Sequence, residues 1–370
     1  MDARIVITKT SRYQLDRTEL AELLSDHPSY RVDQLWTGLY EHGTDIEEIS
    51  NLPKALREEL AEALPAALGE KLVSVSEGGE THKWLWALDD GDSIETVLMH
   101  YKDRSTVCVS SQAGCAMACG FCATGQEGFR RHLTTGEIVE QVVRAREAAL
   151  PRRLSNVVFM GMGEPLANYD AVWGAIRRIH GDLGLSARHI TMSTVGMVPG
   201  INRMAEENLP VSLAVSLHAA TNELRSELVP LNDRYDIETL ATACQRYVAA
   251  SGRRLSFEWA LIAGVNDTFE QAVALSELCR ELRAHVNLIP LNPTPGYLTV
   301  GTDAAGVAQF RQWLLDRNTN ATIRRNRGTD IDAACGQLRA NNHSGAKNSS
   351  RSQPVANPRR RDQAVADSVE

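Results

Sequence analysis

From about Thr106 onward, short β-rich runs alternate with stretches of helical periodicity, and this alternation restricts the fold more than any other feature of the chain. The strand-like runs are 106–109, 156–160, 189–193, 211–217, 255–261, 285–290 and 321–324, with helical patterns between them such as 135–149, 236–250 and 268–282. Strand and helix in strict alternation imply parallel strands joined by right-handed crossovers, in a barrel or in an open doubly wound sheet. Periodicity alone leaves both open.

The chain before this region reads differently. Apolar residues recur at helical spacing from Leu15 to Leu64, with Asp16, Ser29 and Asn51 as candidate caps and Pro53 at a first turn, which predicts three short helices. Between Lys71 and Met99 the pattern becomes alternating, interrupted by Gly78-Gly79 and by Asp89-Asp90-Gly91-Asp92, as in a small antiparallel sheet with tight turns. The expected organisation is a helical domain over 1–66, a β extension over 67–100 and an α/β domain over 101–340. A tail over 341–370, rich in Ser, Asn, Pro and Arg, lacks apolar periodicity and is expected to be disordered.

The N-terminus lacks the flanks of a secretory signal and no apolar run approaches the ~18 residues needed to span a bilayer, so a cytoplasmic protein with no membrane partner is expected. Seven cysteines in a reducing compartment do not read as a disulfide framework, and four of them fall within residues 108–122. Clustering of this kind points to metal or redox chemistry.

Three of the four form Cys115-Ala-Met-Ala-Cys119-Gly-Phe-Cys122, on a loop of small residues that follows a predicted strand. Thiolates are the usual ligands of iron–sulfur clusters, and a cubane held by only three of them keeps one iron open. An open iron can chelate the amino and carboxylate groups of S-adenosylmethionine and deliver an electron to its sulfonium. The competing reading is a zinc site, which uses four protein ligands and normally paired CxxC or Cys/His spacing; His132 is the one histidine nearby and the spacing is wrong for a paired knuckle.

CxxxCxxC after a first strand resembles the hallmark of the radical S-adenosylmethionine superfamily, which implies a partial (βα)6 barrel with its site at the C-terminal strand ends, the usual place for barrel active sites. Further segments narrow the resemblance. Cys108-Val-Ser-Ser-Gln-Ala-Gly-Cys115, Gly161-Met-Gly163-Glu164-Pro165, Ser216-Leu217-His218, Ile289-Pro-Leu-Asn292-Pro and Gly328-Thr-Asp-Ile-Asp-Ala-Ala-Cys335-Gly-Gln-Leu look like those of the RlmN/Cfr family of RNA adenine methyltransferases, the RlmN branch being the nearer. The likeness runs from about Leu15 to Leu338. It implies one 4Fe–4S cluster on Cys115, Cys119 and Cys122, and S-adenosylmethionine contacts from Gly163, Glu164, Ser193, Ser216, Leu217, His218 and Asn292. The residues have physical readings of their own: glycines permit close backbone approach, Glu164 can accept from an ammonium, and polar strand ends can meet ribose or carboxylate.

The same resemblance implies methylation of adenine carbon 2 in the peptidyl transferase region of 23S ribosomal RNA and at adenosine 37 of transfer RNA, with two S-adenosylmethionine molecules per turnover. Carbon 2 is electron-poor and does not attack a methyl cation, whereas a carbon radical can add to it. The family's solution uses a methylated cysteine, which maps to Cys335, a resolving cysteine at Cys108 that leaves a transient disulfide with Cys335, and a proton acceptor at Glu95. Cys244 and Cys279 lie in helical patterns and read as core. Electrons would come from a cellular reductase, and the protein is expected to be a monomer.

RNA needs cations, and the basic clusters are Arg130-Arg131-His132, Arg152-Arg153, Arg177-Arg178, Arg253-Arg254 and Arg324-Arg325-Asn-Arg327, of which the first and last flank the cluster motif and Cys335. Residues 1–90 carry 9 Lys and Arg against 18 Asp and Glu, so the helical region is a poor electrostatic platform, with Lys54 and Arg57 its few candidates. Competing functions are a Cfr-like carbon 8 methyltransferase, an activating enzyme that plants a glycyl radical in a partner, and a zinc-binding RNA module. The second would need neither Cys108 nor Cys335.

Overall fold

The computed structural model describes residues 10–294, 296–297, 299–324, 327–334 and 336–338. The tail over 341–370 and Cys335 therefore lie outside the described residues. Two compact units are present: Met1–Ala113 with Arg130–Met192 and Leu209–Ser212, and Gly114–Phe129 with Ser193–Asn208 and the chain from Leu213 on.

The first unit begins with helices Arg17–Leu23, Tyr30–Trp36 and Lys54–Ala63. Asp16 caps the first in a capping box with Glu19, accepting from the Thr18 and Glu19 amides. Ser29 occupies the cap position of the second without a side-chain bond, and Pro53, not Asn51, precedes the third. The strands β1 (Gly69–Val75), β2 (Thr81–Ala87), β3 (Ser93–His100) and β4 (Ser105–Cys108) pair antiparallel in sequence, with Gly79 and Gly91 at positive φ in the first two of the three turns. Strands β5 (Gln112–Gly114) and β6 (Phe129–His132) flank the cysteine loop. Parallel pairing starts where β4 meets β7 (Leu154–Phe159), which in turn pairs with β8 (Ile190–Thr194).

Between them runs the helix Thr135–Ala149, started by a capping box of Thr134 and Glu137. Ile138, Val139, Val142 and Val143 recur on one face and are fully buried. Gln141 on the same helix takes Thr96 Oγ1 (2.8 Å) and the Ser110 amide (2.8 Å), fixing the helix over one face of β3 and β4.

In the second unit β9 (Ser212–Ser216), β10 (Leu255–Leu261), β11 (His285–Pro290) and β12 (Ala321–Ile323) are parallel neighbours, and helices Ile237–Ser251, Phe269–Leu282 and Ala304–Leu315 connect them. Each expected strand is present within a few residues. Cys244 and Cys279 are buried in their helices, and burial pushes both thiols up to about 12, so they pack as neutral small hydrophobes. Among the described residues no helix is long and apolar enough to cross a membrane.

Candidate functional site

The cysteine loop is closed at its base by the Cys115 amide, which donates to the Gly128 carbonyl at 2.9 Å. Gly114 has φ +74, and a Cβ there would sit 1.9 Å from the same oxygen, so no side chain fits. Ala118 also has positive φ, turning the chain between the first two cysteines. The Cys122 amide donates to the Cys119 carbonyl (3.1 Å), and a Cβ at Gly125 would lie 2.8 Å from that oxygen, so the short helix Ala123–Glu127 packs tightly on the loop it ends. Cys119 and Phe121 are buried with Leu224, Leu228, Val229 and Ile262, whereas Cys115 and Cys122 are half-buried.

Among the described residues no three His, Cys, Asp or Glu side chains are arranged to hold a single metal ion. A cubane imposes no such convergence, because each thiolate binds a different iron. Three thiols on a loop of small residues, one in an apolar bed and two reaching the surface, fit a cluster with one open iron.

The C-terminal segment rests on this loop. The Ala123 amide donates to the Gly336 carbonyl at 2.8 Å and Thr124 Oγ1 to the Leu338 carbonyl at 2.6 Å. Gln337 Nε2 reaches the Pro293 carbonyl at 3.4 Å, next to Asn292, which is itself buried. Both described neighbours of Cys335 are thus held in place, Gly336 in the left-handed region and Ala334 through Gln337 Oε1 (3.3 Å).

His218, two residues beyond β9, has φ +60 and stands edge-on to Phe121, ring centroids 4.8 Å apart. Its Nδ1 accepts from the Ala260 amide (3.0 Å), which assigns the ring proton to Nε2, and burial pulls its pKa down to about 3. The ring is a neutral brace between β9, β10 and the cysteine loop. Ser193 is buried at the end of β8, and Ser216 lies level with Glu258 on β10, which lies level with Asn287 on β11. Glu258, unremarked in the sequence, is 3% exposed and binds Asn287 Nδ2 (2.8 Å) and Arg324 Nη1 (3.3 Å).

In the first unit the Gly161-Met-Gly163-Glu164 turn serves the chain itself. Gly161 packs on the Val109 backbone, where a Cβ would come within 2.6 Å, and Gly163, at φ +103, packs on the Gln112 side chain. Glu164 is 2% exposed and its Oε1 caps the following turn at the Leu166 amide (3.0 Å), while its own amide donates to Gln112 Oε1 (2.8 Å). The close approach expected of these glycines is therefore, in part, an approach to β4 and β5.

Cross-strand pairing puts Lys83 opposite Val97 and Val97 opposite Cys108, so Lys83, Glu95 and Cys108 share the sheet face opposite Thr96 and its helix. Glu95 is 1% exposed and pairs with Lys83 Nζ at 3.0 Å, not solvated as an isolated strand glutamate would be. Lys83 was not legible as a site residue in the sequence.

Three of the candidate RNA-facing cations are engaged internally. Arg131 makes a fork to Glu137 (2.7 and 2.9 Å) and pairs with Asp90; Arg178 donates to the Tyr13 and Gln14 carbonyls; Arg324 pairs with Glu258. Arg130, Arg152 and Arg153 are exposed, and Arg325 lies outside the described residues.

The radical SAM superfamily profile matches residues 109–277, and the parallel α/β fold with its cysteine loop is of that class. The crystal structure of a radical SAM methyltransferase from Sphaerobacter thermophilus superposes with a TM-score of 0.88 at 48% identity, covering 90% of this chain and 100% of that one. The probable dual-specificity RNA methyltransferase RlmN of Chloroflexus aurantiacus is 48% identical over 350 residues, 90% of this chain and 93% of its own. The corresponding protein of Moorella thermoacetica is 50% identical over 334 residues, 87% and 94% of the two chains. The chain belongs to the RlmN family of radical SAM RNA methyltransferases.

Proposed function

We propose that this protein methylates carbon 2 of adenine in the peptidyl transferase region of 23S ribosomal RNA and at adenosine 37 of transfer RNA, through a methylated Cys335. Cys115, Cys119 and Cys122 would hold the 4Fe–4S cluster, and Gly163, Glu164, Ser193, Ser216, Leu217, His218 and Asn292 would surround S-adenosylmethionine. When bound, the cluster would supply the electron that opens one S-adenosylmethionine and would take it back after the new carbon–carbon bond forms, while the other S-adenosylmethionine would give its methyl to Cys335 and leave as S-adenosylhomocysteine. Cys335 carries the methyl as a thioether; one hydrogen atom passes from it to the 5′-deoxyadenosyl fragment, giving 5′-deoxyadenosine, and the carbon then adds to the base. Glu95, kept in a buried ion pair by Lys83, takes the carbon 2 proton. Once the adduct has also given up its unpaired electron, the Cys108 thiolate attacks the Cys335 sulfur; the carbon–sulfur electron pair leaves with the base, whose methylene takes up a proton to become the methyl group, and a disulfide remains for cellular thiols to reduce.

The observation that carries this reading is the attachment of the residues flanking Cys335 to the helix that begins after Cys122. An activating enzyme for a partner protein would have no use for a cysteine segment tied there. Exposed Arg130, Arg152 and Arg153 would meet RNA phosphate. Protein isolated with S-adenosylmethionine should carry one extra methyl on the Cys335 peptide by mass spectrometry, and turnover on RNA should give 2-methyladenosine. An 8-methyladenosine product would support the carbon 8 alternative instead. A monomer served by a cellular reductase completes the proposal.

A further inference from the structure

Arg225, on the helix Asn222–Leu228, is 1% exposed. Its guanidinium donates to three neutral acceptors: Nε to the Leu217 carbonyl (3.3 Å), Nη1 to Asn232 Oδ1 (2.9 Å) and Nη2 to the Val195 carbonyl (2.5 Å). The turn after Val195 is shaped around it, since Gly196 has φ +112 and a Cβ there would meet Nη2 at 3.1 Å. Hydrogen bonding is satisfied; charge is not. A guanidinium is not deprotonated in proteins, so Arg225 is a buried cation, and the two groups whose negative charge would act on it are Cys119 and Cys244. No carboxylate among the described residues does so.

Cys244 cannot be the counter-charge, because burial holds its thiol neutral. Cys119 can. It packs with Leu224 and Leu228, on either side of Arg225, and with Val195, whose carbonyl Arg225 holds. A thiol that ligates metal is deprotonated outright. A buried cation without an anionic partner is costly, and the arrangement makes sense once an anion occupies the cysteine loop.

We propose that Arg225 is the built-in counter-cation of the iron–sulfur cluster, a positioning residue whose fixed charge beside Cys119 favours the reduced cluster. This rests on the assignment of Cys115, Cys119 and Cys122 as ligands. Adding one electron makes the cluster more negative, so a nearby positive charge raises its reduction potential, and its removal lowers it.

The test is a redox titration of anaerobically reconstituted protein with dithionite and mediator dyes, followed by electron paramagnetic resonance. Relative to wild type, Arg225→Gln should lower the reduced-to-oxidised ratio at fixed potential about ten-fold, which is about 59 mV for a one-electron couple. Arg225→Lys, which keeps the charge and loses the planar fork, should stay within about three-fold of wild type. A mere brace for the loop ends predicts the reverse: no shift in either loaded variant, or Lys as damaging as Gln, and either result overturns the proposal. If Arg225→Gln does not load, Arg225→Met takes its place in the same comparison with Arg225→Lys, and failure of all three variants to load also overturns the proposal. Iron and acid-labile sulfide in the wild-type protein test the ligand assignment separately.

Discussion

The amide of Ala123 donates to the carbonyl of Gly336 at 2.8 Å, joining the residue after the last cysteine of the loop to the residue after Cys335. Two segments more than two hundred residues apart in sequence are thereby placed within one backbone hydrogen bond of each other. Thr124 adds the second tie, its hydroxyl to the Leu338 carbonyl.

Removing that second tie should loosen the C-terminal segment and leave the loop intact. Thr124→Val keeps the side-chain shape and leaves the buried Leu338 carbonyl short of a partner, at a cost of about 1–3 kcal/mol. The expected result is unchanged iron content, faster amide exchange over 329–338, and a rate of Cys335 methylation about ten-fold lower. Hydrogen exchange with peptide mass spectrometry reads both.

Lys83 and Glu95 should behave as a buried pair. Lys83→Met takes the cation away from a buried carboxylate and should destabilise the protein by about 3–5 kcal/mol. Adding Glu95→Leu should recover most of that loss while abolishing RNA methylation. A double-mutant cycle by urea unfolding measures the coupling.

His218 sets a pH dependence with a definite sign. Its folded pKa, about 3, lies below the ordinary value of 6.5, so the unfolded chain binds the proton more readily between those two values. Its contribution to stability is complete above pH 6.5 and is lost as pH falls toward 3, by about 2 kcal/mol on reaching pH 5. His218→Asn should lose less stability than wild type between pH 7 and pH 5, as measured by urea unfolding at each pH.

Arg130 and Arg324 should separate RNA affinity from stability. Arg130→Ala should weaken RNA binding and reduce the salt slope by about one, with the melting temperature unchanged. Arg324→Ala should lower the melting temperature, because Glu258 is left buried without its cation.

The strands and crossover helices were legible because period and turn residues are local signals, and the cysteine loop because three thiols at fixed spacing have few other uses. The ion pairs were not. Lys83 and Glu95 each sit in an alternating strand where a charge reads as a solvated face, and only antiparallel register places them together. Arg225, in Asn-Glu-Leu-Arg-Ser-Glu-Leu, looks like the polar side of a surface helix, yet its acceptors come from Val195, Leu217 and Asn232. Arg131, Arg178 and Arg324 read as exposed charges that could meet phosphate for the same reason: a sequence shows a charge and hides its partner. The glycines of Gly161-Met-Gly163 were legible as close approaches, but not that the chain itself is one of the things approached.

The central claim is that the methyl group passes through Cys335, and trideuteromethyl S-adenosylmethionine tests it most directly. Anaerobic turnover on ribosomal RNA fragments and transfer RNA should give 2-methyladenosine whose methyl keeps two deuteriums, with the third in 5′-deoxyadenosine and none of either product from Cys335→Ala. A methyl that arrives on adenine with all three deuteriums, or an active enzyme whose Cys335 never carries a methyl, would contradict the account.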